Sequence, residues 1–433
     1  MRRLVDAVLD AWGRSLRRKP LIVRGARQVG KTWSVLDFGK RSLENVVHVN
    51  FERSPGLCPV FDGELDMRRV VSDLEALTGT SIRPGKSLLF LDEIQACPRA
   101  MVSLRYFKEQ LPKLHVVGAG SLLEFAARDI SFPVGRVQFL EMFPMTFAEF
   151  LWARGKAKAA EVVLKTPSAT GEALHAFLMS EMRAYVQVGG MPEAVSVYAS
   201  SGSLREAGEV QREIVESYRA DFSKYAPLAD KSCLRNVMTS VARSVGQQVK
   251  YSRLAEGFSN ATIHRAFDLL CLARVARRVR SASPAGLPFE AHASQKVFKA
   301  LFVDVGLMHQ VCGIGPEQHL AGGDLLDLFR GAVAEQFVGQ ELLAAKGSDL
   351  FYWARPQRSS SAEVDFLISS QGGIVPVEVK SGAAGRLRSL DLLMREYPNC
   401  TSALVFSSSR SHQRTSRGVG FLPLYFAFSA SST

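Results

Sequence analysis

The sequence has no run approaching the roughly 18 consecutive apolar residues that a membrane-crossing helix needs. No part of it should therefore span a bilayer, and no membrane partner is expected. Cysteine is scarce: six residues, at 58, 97, 233, 271, 312 and 400, with no C-x-x-C pair and no histidine ligand set nearby. Disulfides and structural zinc are thereby disfavoured, and a reducing, cytoplasmic setting is expected. The opening residues are not expected to act as a secretory leader, because Asp6 and Asp10 interrupt any apolar region. A guanine-specifying N-K-x-D segment is missing as well, which favours ATP over GTP. Acidic residues are outnumbered, 42 against 54 Lys and Arg, and the net charge of +12 favours a polyanionic partner without requiring one.

What is present begins with length. At 433 residues, two to four domains are expected, with the 47% hydrophobic and 22% charged content of an ordinary globular chain. The apolar run Leu21-Ile22-Val23 leads into Gly25-Ala26-Arg27-Gln28-Val29-Gly30-Lys31-Thr32, and a segment able to form a helix follows, Trp33 to Lys40. Strand, glycine-bounded loop and helix are the context in which G-x-x-x-x-G-K-[ST] reads as a P-loop. The glycines let successive backbone N–H groups converge on phosphate oxygens, and the helix N-terminus adds a partial positive charge. Lys31 should reach the β- and γ-phosphates, and the Thr32 hydroxyl should hold Mg²⁺.

Ser87 to Glu93 is a second apolar run, ending in two acids, with the look of a buried parallel strand. Asp92 at such a strand end can join the Mg²⁺ shell, and Glu93 can polarise an attacking water. Val46 to Phe51 and Leu114 to Gly118 read as further strands, and this alternation with helical segments predicts parallel βαβ units. Ser121, just past a strand end, either touches the γ-phosphate or caps a helix over 122–128. Arg136 either stabilises charge as an arginine finger or makes a surface ion pair.

Residues 150–232 look helical, punctuated by Gly189-Gly190-Met191-Pro192. Between Lys250 and Arg280 there are seven Lys/Arg and two Asp/Glu, a local excess of five positive charges. Two short helical segments there fit a helix-turn-helix, with Arg277 and Arg278 available for phosphate contacts, or a packing module of the same shape. Near the end, Asp365, Glu378 and Lys380 follow a D…E-x-K pattern. Strand alternation puts Glu378 and Lys380 on one face. Asp365, Glu378 and Glu335 from a preceding helix could surround Mg²⁺ or Mn²⁺, with Lys380 stabilising developing charge, as in a nuclease.

Taken together, Gly25–Thr32, Leu88–Gln95, Gly135-Arg136, Gly189–Pro192, Phe302–Leu307 and Glu363–Lys380 resemble a family of bacterial and archaeal AAA-superfamily ATPases with a restriction-endonuclease-like C-terminal domain. Ser121 matches that family's polar residue after the fourth strand, with Ala119-Gly120 in place of the common Gly-Ser run. The resemblance covers nearly the whole chain. It implies an α/β multidomain protein: a P-loop AAA-type core with a parallel sheet over 1–150, a helical lid over 151–231, a winged helix over 232–312 and a PD-(D/E)xK nuclease-like α/β domain over 325–433. The expected activity is Mg²⁺-dependent ATP hydrolysis coupled to nucleic-acid handling, with DNA favoured over RNA and a homo-oligomer allowed. The alternative is an ATP-gated regulatory or scaffold protein whose nuclease-like domain only binds a partner.

Overall fold

Ser87–Asp92, the most apolar stretch of the first 143 residues, forms strand β3 and is buried at all six positions. Burial on both faces is what a central parallel strand requires. Around it lie β1 (Leu21–Gly25), β2 (Asn45–Asn50), β4 (His115–Gly120) and β5 (Gln138–Met142), in the order β2-β3-β4-β1-β5. Every pair in this sheet is parallel. The chain ends of β1 and β3 therefore share one edge, with β4 between them. Among the described residues, helices α1 (Val5–Arg14), α2 (Lys31–Ser42), α3 (Met67–Thr78) and α4 (Pro98–Gln110) belong to the same unit. Asp66 caps α3 by accepting from the Arg68 amide. Ile22, Val49, Leu89, Leu91, Phe61, Met101 and Phe107 belong to one continuous apolar core.

The computed structural model describes residues 1–120, 135–225, 229–314, 325–347, 349–355, 362–380 and 387–432. Its contacts divide the chain into two units, Met1–Phe143 and Pro144–Thr433. Ser121 lies outside the described residues. Among those described, no helix is long and apolar enough to cross a membrane.

One expectation is overturned in the first unit. Cys58 and Cys97 form a disulfide, with their Cα atoms 5.7 Å apart. Cys58 sits in the 3-10 segment Pro55–Phe61, and Cys97 immediately precedes α4. Their separation of 39 residues hid the pairing. β2 and β3 are parallel neighbours, so the loops after them leave the sheet side by side. With this bond formed, scarce cysteine no longer points to a reducing compartment.

In the second unit, helices Phe147–Ala153, Ala157–Leu164, Glu172–Val188, Pro192–Ser201 and Leu204–Tyr225 come first. Helix Lys231–Arg243, strand β6 (Gln248–Val249), helix Asn260–Leu272 and the antiparallel strands β7 (Ala276–Ala282) and β8 (Ala293–Phe302) follow. After helices Val305–Cys312 and Leu325–Lys346 come β9 (Phe351–Ala354), β10 (Glu363–Ser370), β11 (Gly373–Val379), β12 (Ala403–Ser407), β13 (Gln413–Arg414) and β14 (Val419–Pro423). The nine strands among the described residues form one sheet, β13-β14-β12-β11-β10-β9-β7-β8-β6. The parallel pair β7/β9, with Arg280 opposite Phe351 and Ser281 opposite Tyr352, runs the sheet through both 232–312 and 325–433. Those two segments therefore share a sheet instead of forming separate cores.

A buried polar junction ties the segments of this unit together. Asp304, fully buried, accepts from the Gly190 amide at 2.6 Å and caps the helix Val305–Cys312 through the Leu307 amide at 3.0 Å. A Cβ at Gly189 would run into the Asp304 carboxylate, and one at Gly190 would run into the Met145 backbone. The glycine pair and the Asp-Val-Gly-Leu stretch are thus two halves of one packing motif. Gln340 donates to the Tyr185 hydroxyl at 2.7 Å, which in turn donates to the Met145 carbonyl at 2.6 Å.

Glu341, also buried, accepts from the Phe147 amide at 2.9 Å. Burial pushes its carboxyl up to about 8. Because this folded value lies above the ordinary 4.5, its stability contribution is full at low pH and is lost as pH rises through about 8. Glu341→Gln should lack that loss. Thermal melts of parent and variant should shift steadily in the variant's favour from pH 5 to about 8 and level off above it, and parallel curves would reject this assignment.

Candidate functional site

The loop after β1 owes its shape to two glycines. At Gly25 a Cβ would strike the Met142 carbonyl on the neighbouring strand β5, so only glycine lets the chain leave the sheet there. Gly30, at φ 92°, turns the chain into α2. Gln28 between them also has positive φ, 64°. Successive amides in such a curl form an anion cradle, strengthened by the N-terminus of the 12-residue α2. Ala26 and Val29 are buried. Arg3 is buried too; it donates to the Val29 carbonyl and the Phe143 carbonyl, each at 2.9 Å. It holds the loop from below, a role with no sequence signal.

Lys31 is 7% exposed, and its ammonium donates to the Gly25 and Ala26 carbonyls at 3.1 and 2.8 Å. The cation is therefore kept inside the loop it would serve. Thr32 Oγ1 donates to Asp92 Oδ2 at 3.0 Å, joining the loop to the end of β3. Asp92 is 2% exposed and is also met by Asn50 Nδ2 and His48 Nε2, each at 3.2 Å. The His48 ring stacks on Phe90, with centroids 4.9 Å apart. His48 and Asn50 carry no motif in the sequence, because strand alternation on β2 only matters once β2 lies beside β3.

Glu93 follows in left-handed backbone, φ 48°, a conformation that is costly for a non-glycine residue and concentrates at functional sites. Gln95 donates to its carboxylate at 2.5 Å. Burial first, and then the Asp92 charge, raise the Glu93 carboxyl above the ordinary carboxylate range. The edge of the sheet thus gathers a backbone cradle, a buried ammonium, a hydroxyl beside a carboxylate, and a second carboxylate with raised proton affinity. Arg136 is not brought there. It precedes β5 at the opposite, N-terminal edge of the parallel sheet and pairs with Glu109 at 3.4 Å, the surface ion pair of the two alternatives.

The acids of the second unit also come together, but around a side chain that no motif in the sequence marks. Lys299 on β8 lies with its ammonium 2.9 Å from Glu335, 2.5 Å from Glu363 and 3.4 Å from Asp365. Asp365 also accepts from the Val379 amide at 2.8 Å, and Lys380 pairs with Glu378 at 2.5 Å. Burial and the neighbouring Asp365 raise both Glu335 and Glu378 above the usual carboxylate range, while the surrounding acids hold Lys299 protonated. Among the described residues, no three side chains of the metal-ligating types meet in an arrangement able to hold an ion. Of the acids expected to share Mg²⁺ or Mn²⁺, Glu335 and Asp365 meet the Lys299 ammonium together with Glu363, while Glu378 pairs with Lys380.

The basic segment needs a correction as well. Arg278 does not face outward: it pairs with Asp268 at 2.5 Å, donates to the Tyr251 hydroxyl at 3.0 Å and lies over the Phe267 and Phe298 rings. Lys250, Arg253 and Arg265 are exposed.

Residues 17–151 match the family model described as an AAA domain. Residues 179–318 and 330–426 match two domains of unknown function, DUF8612 and DUF4143. The first match supports an AAA-type, ATP-binding P-loop domain with the general ATPase chemistry of that class. No curated protein matches the chain. Solved structures with some likeness include the Walker-type ATPase PABY2304 of Pyrococcus abyssi, at 12% identity and TM-score 0.44, covering 72% of this chain and 95% of that one. Another is the Aeropyrum pernix Orc1 protein in complex with DNA, at 12% identity and TM-score 0.27, covering 72% and 93%. A third is the Thermotoga maritima RuvB Holliday junction branch migration motor, at 18% identity and TM-score 0.28, covering 64% and 87%. At these scores the likenesses carry no weight for function.

Proposed function

We propose that this chain hydrolyses ATP with Mg²⁺ and couples that hydrolysis to the handling of nucleic acid, DNA in preference to RNA. The observation that supports it most is the Thr32–Asp92 hydrogen bond, which sets a hydroxyl beside a carboxylate at the mouth of the phosphate cradle. Hard oxygen donors of this kind suit Mg²⁺, and Thr32 and Asp92 would hold it. The ion, when bound, supplies charge neutralisation at the β- and γ-phosphates. The Gly25–Lys31 amides bind the phosphates, and Lys31 supplies a positive charge that can swing from the loop carbonyls to the ligand. Glu93 takes the proton of the attacking water, and Gln95 keeps its carboxylate aimed. A homo-oligomer would let Arg136, remote from its own chain's site, serve a neighbouring copy.

The nucleic-acid half of the reading rests on charge, so it is tested through salt. Steady-state ATPase rates with and without DNA or RNA should show stimulation by DNA that fades as salt rises. Reversing Lys250, Arg253 and Arg265 together should weaken DNA binding in fluorescence anisotropy. The log–log salt slope should fall by roughly 0.7–0.9 for each phosphate no longer neutralised. An unchanged slope, with ATPase activity indifferent to nucleic acid, would leave the second reading, an ATP-gated regulatory or scaffold protein. The inward-facing Arg278 and the lysine-filled acid cluster both favour that reading for the second unit.

A further inference from the structure

Lys299 belongs to none of the stretches that point to nuclease chemistry, yet its ammonium reaches three carboxylates on two other elements. Glu335 comes from the helix Leu325–Lys346, and Glu363 and Asp365 stand two apart on β10, hence on one face of that strand. The lysine itself is 1% exposed, and its charge also lies over the Tyr352 ring at 5.4 Å. β8 and β10 are separated in the sheet by β7 and β9. For the lysine to meet β10, the sheet must curl. Gln248 on β6 does the same, donating to Glu363 at 2.9 Å. A buried ammonium placed this way is built in by the topology; it is not a surface side chain that happened to settle there.

Acids that bind a divalent cation and acids that bind an ammonium make the same demand: positive charge to offset their repulsion in a site removed from water. An ammonium seated where their oxygens converge takes the place of a metal ion and repels a second cation there. We propose that Lys299 is the resident cation of this cluster, standing in for the divalent ion, so that the second unit takes no Mg²⁺ or Mn²⁺ while Lys299 is present. A second observation marks what the lysine suppresses. Glu378, 6% exposed, has a carboxylate oxygen, Oε2, that is buried without a hydrogen-bond partner among the described residues. With Lys299 removed, Glu335, Glu363 and Asp365 would lose the cation that offsets their repulsion, and their oxygens are hard donors of the kind divalent ions prefer. One side chain thus holds the place that a divalent ion would need.

The test is a Mn²⁺ titration of the nucleotide-free full chain, read by electron paramagnetic resonance and by thermal melts, on four proteins: the parent, Asp365→Asn, Lys299→Met and Lys299→Met/Asp365→Asn. Omitting nucleotide and reading dependence on Asp365 keep this result separate from Mg²⁺ use at the P-loop, so the ATPase reading can stand or fall independently. The parent and Asp365→Asn should bind Mn²⁺ identically and show no difference in Mn²⁺-induced melting shift. Lys299→Met should gain one Mn²⁺ equivalent, bound at least tenfold more tightly than any ion the parent holds, and Mn²⁺ should raise its melting temperature. Asp365→Asn in that background should remove the gain. A parent that binds a Mn²⁺ lost in Asp365→Asn overturns the proposal, and so does a folded Lys299→Met that gains none. If Lys299→Met does not fold without metal, the comparison of parent and Asp365→Asn decides alone, and folding recovered on refolding with Mn²⁺ supports the substitution of one cation for another.

Discussion

Glu93→Gln should bind ATP as tightly as the parent and turn it over roughly 10²–10⁴-fold more slowly, the range that a positioned general base contributes. The amide keeps the shape of the side chain and can still meet Gln95, so the left-handed turn after β3 should survive. What it loses is a proton acceptor. The same carboxyl titrates above the ordinary range because burial and the Asp92 charge oppose its ionisation. Hydrolysis by the parent should therefore lose its rate on the acid side at a higher pH than an exposed glutamate would give. Lys31→Ala separates the two steps from the other side: its buried ammonium serves the ground-state phosphates, so nucleotide affinity should fall. Nucleotide binding by calorimetry and single-turnover hydrolysis would be measured on all three proteins. A Glu93→Gln variant that hydrolyses at the parental rate would remove Glu93 from the mechanism, and one that fails to bind would make it a phosphate-site residue instead.

Asp304→Ala should cost the second unit at least about 3 kcal/mol of stability, a loss large enough to unfold many domains. The carboxylate is completely buried and satisfies the Gly190 and Leu307 amides, one on each side of a junction between distant segments. Truncation leaves both N–H groups buried without an acceptor, at about 1–3 kcal/mol each, and opens the cap of the helix Val305–Cys312. Gly190→Ala attacks the same junction from the opposite side, since its Cβ would overlap the Met145 backbone, and should be comparably damaging. Urea denaturation followed by fluorescence gives the number. A loss under about 1 kcal/mol for Asp304→Ala would mean that the backbone shifts to satisfy those amides elsewhere.

Local chemistry was legible in the sequence wherever a short stretch carries it. The strand–loop–helix around Gly25 to Thr32, the acids closing β3 and the alternation of parallel strands with helices all follow from periodicity and residue type over a few neighbouring positions. The glycine pair at 189–190 and the Asp304 stretch were visible as motifs, but their meaning was not, because each is half of a contact whose other half is more than a hundred residues away. Separation along the chain likewise hid the Cys58–Cys97 bond, the support of the P-loop by Arg3 and the inward turn of Arg278. Lys299 is the furthest case. The D…E-x-K spacing put Glu378 and Lys380 on one strand face, where the two side chains pair, and nothing in β10 or β11 could say which cation Asp365 faces. That was decided by the curl of a nine-stranded sheet, which carries a lysine across two intervening strands into the acids. Charge pairing is set by distance in space, and in a long sheet that distance depends on curvature, which no local pattern of residues records.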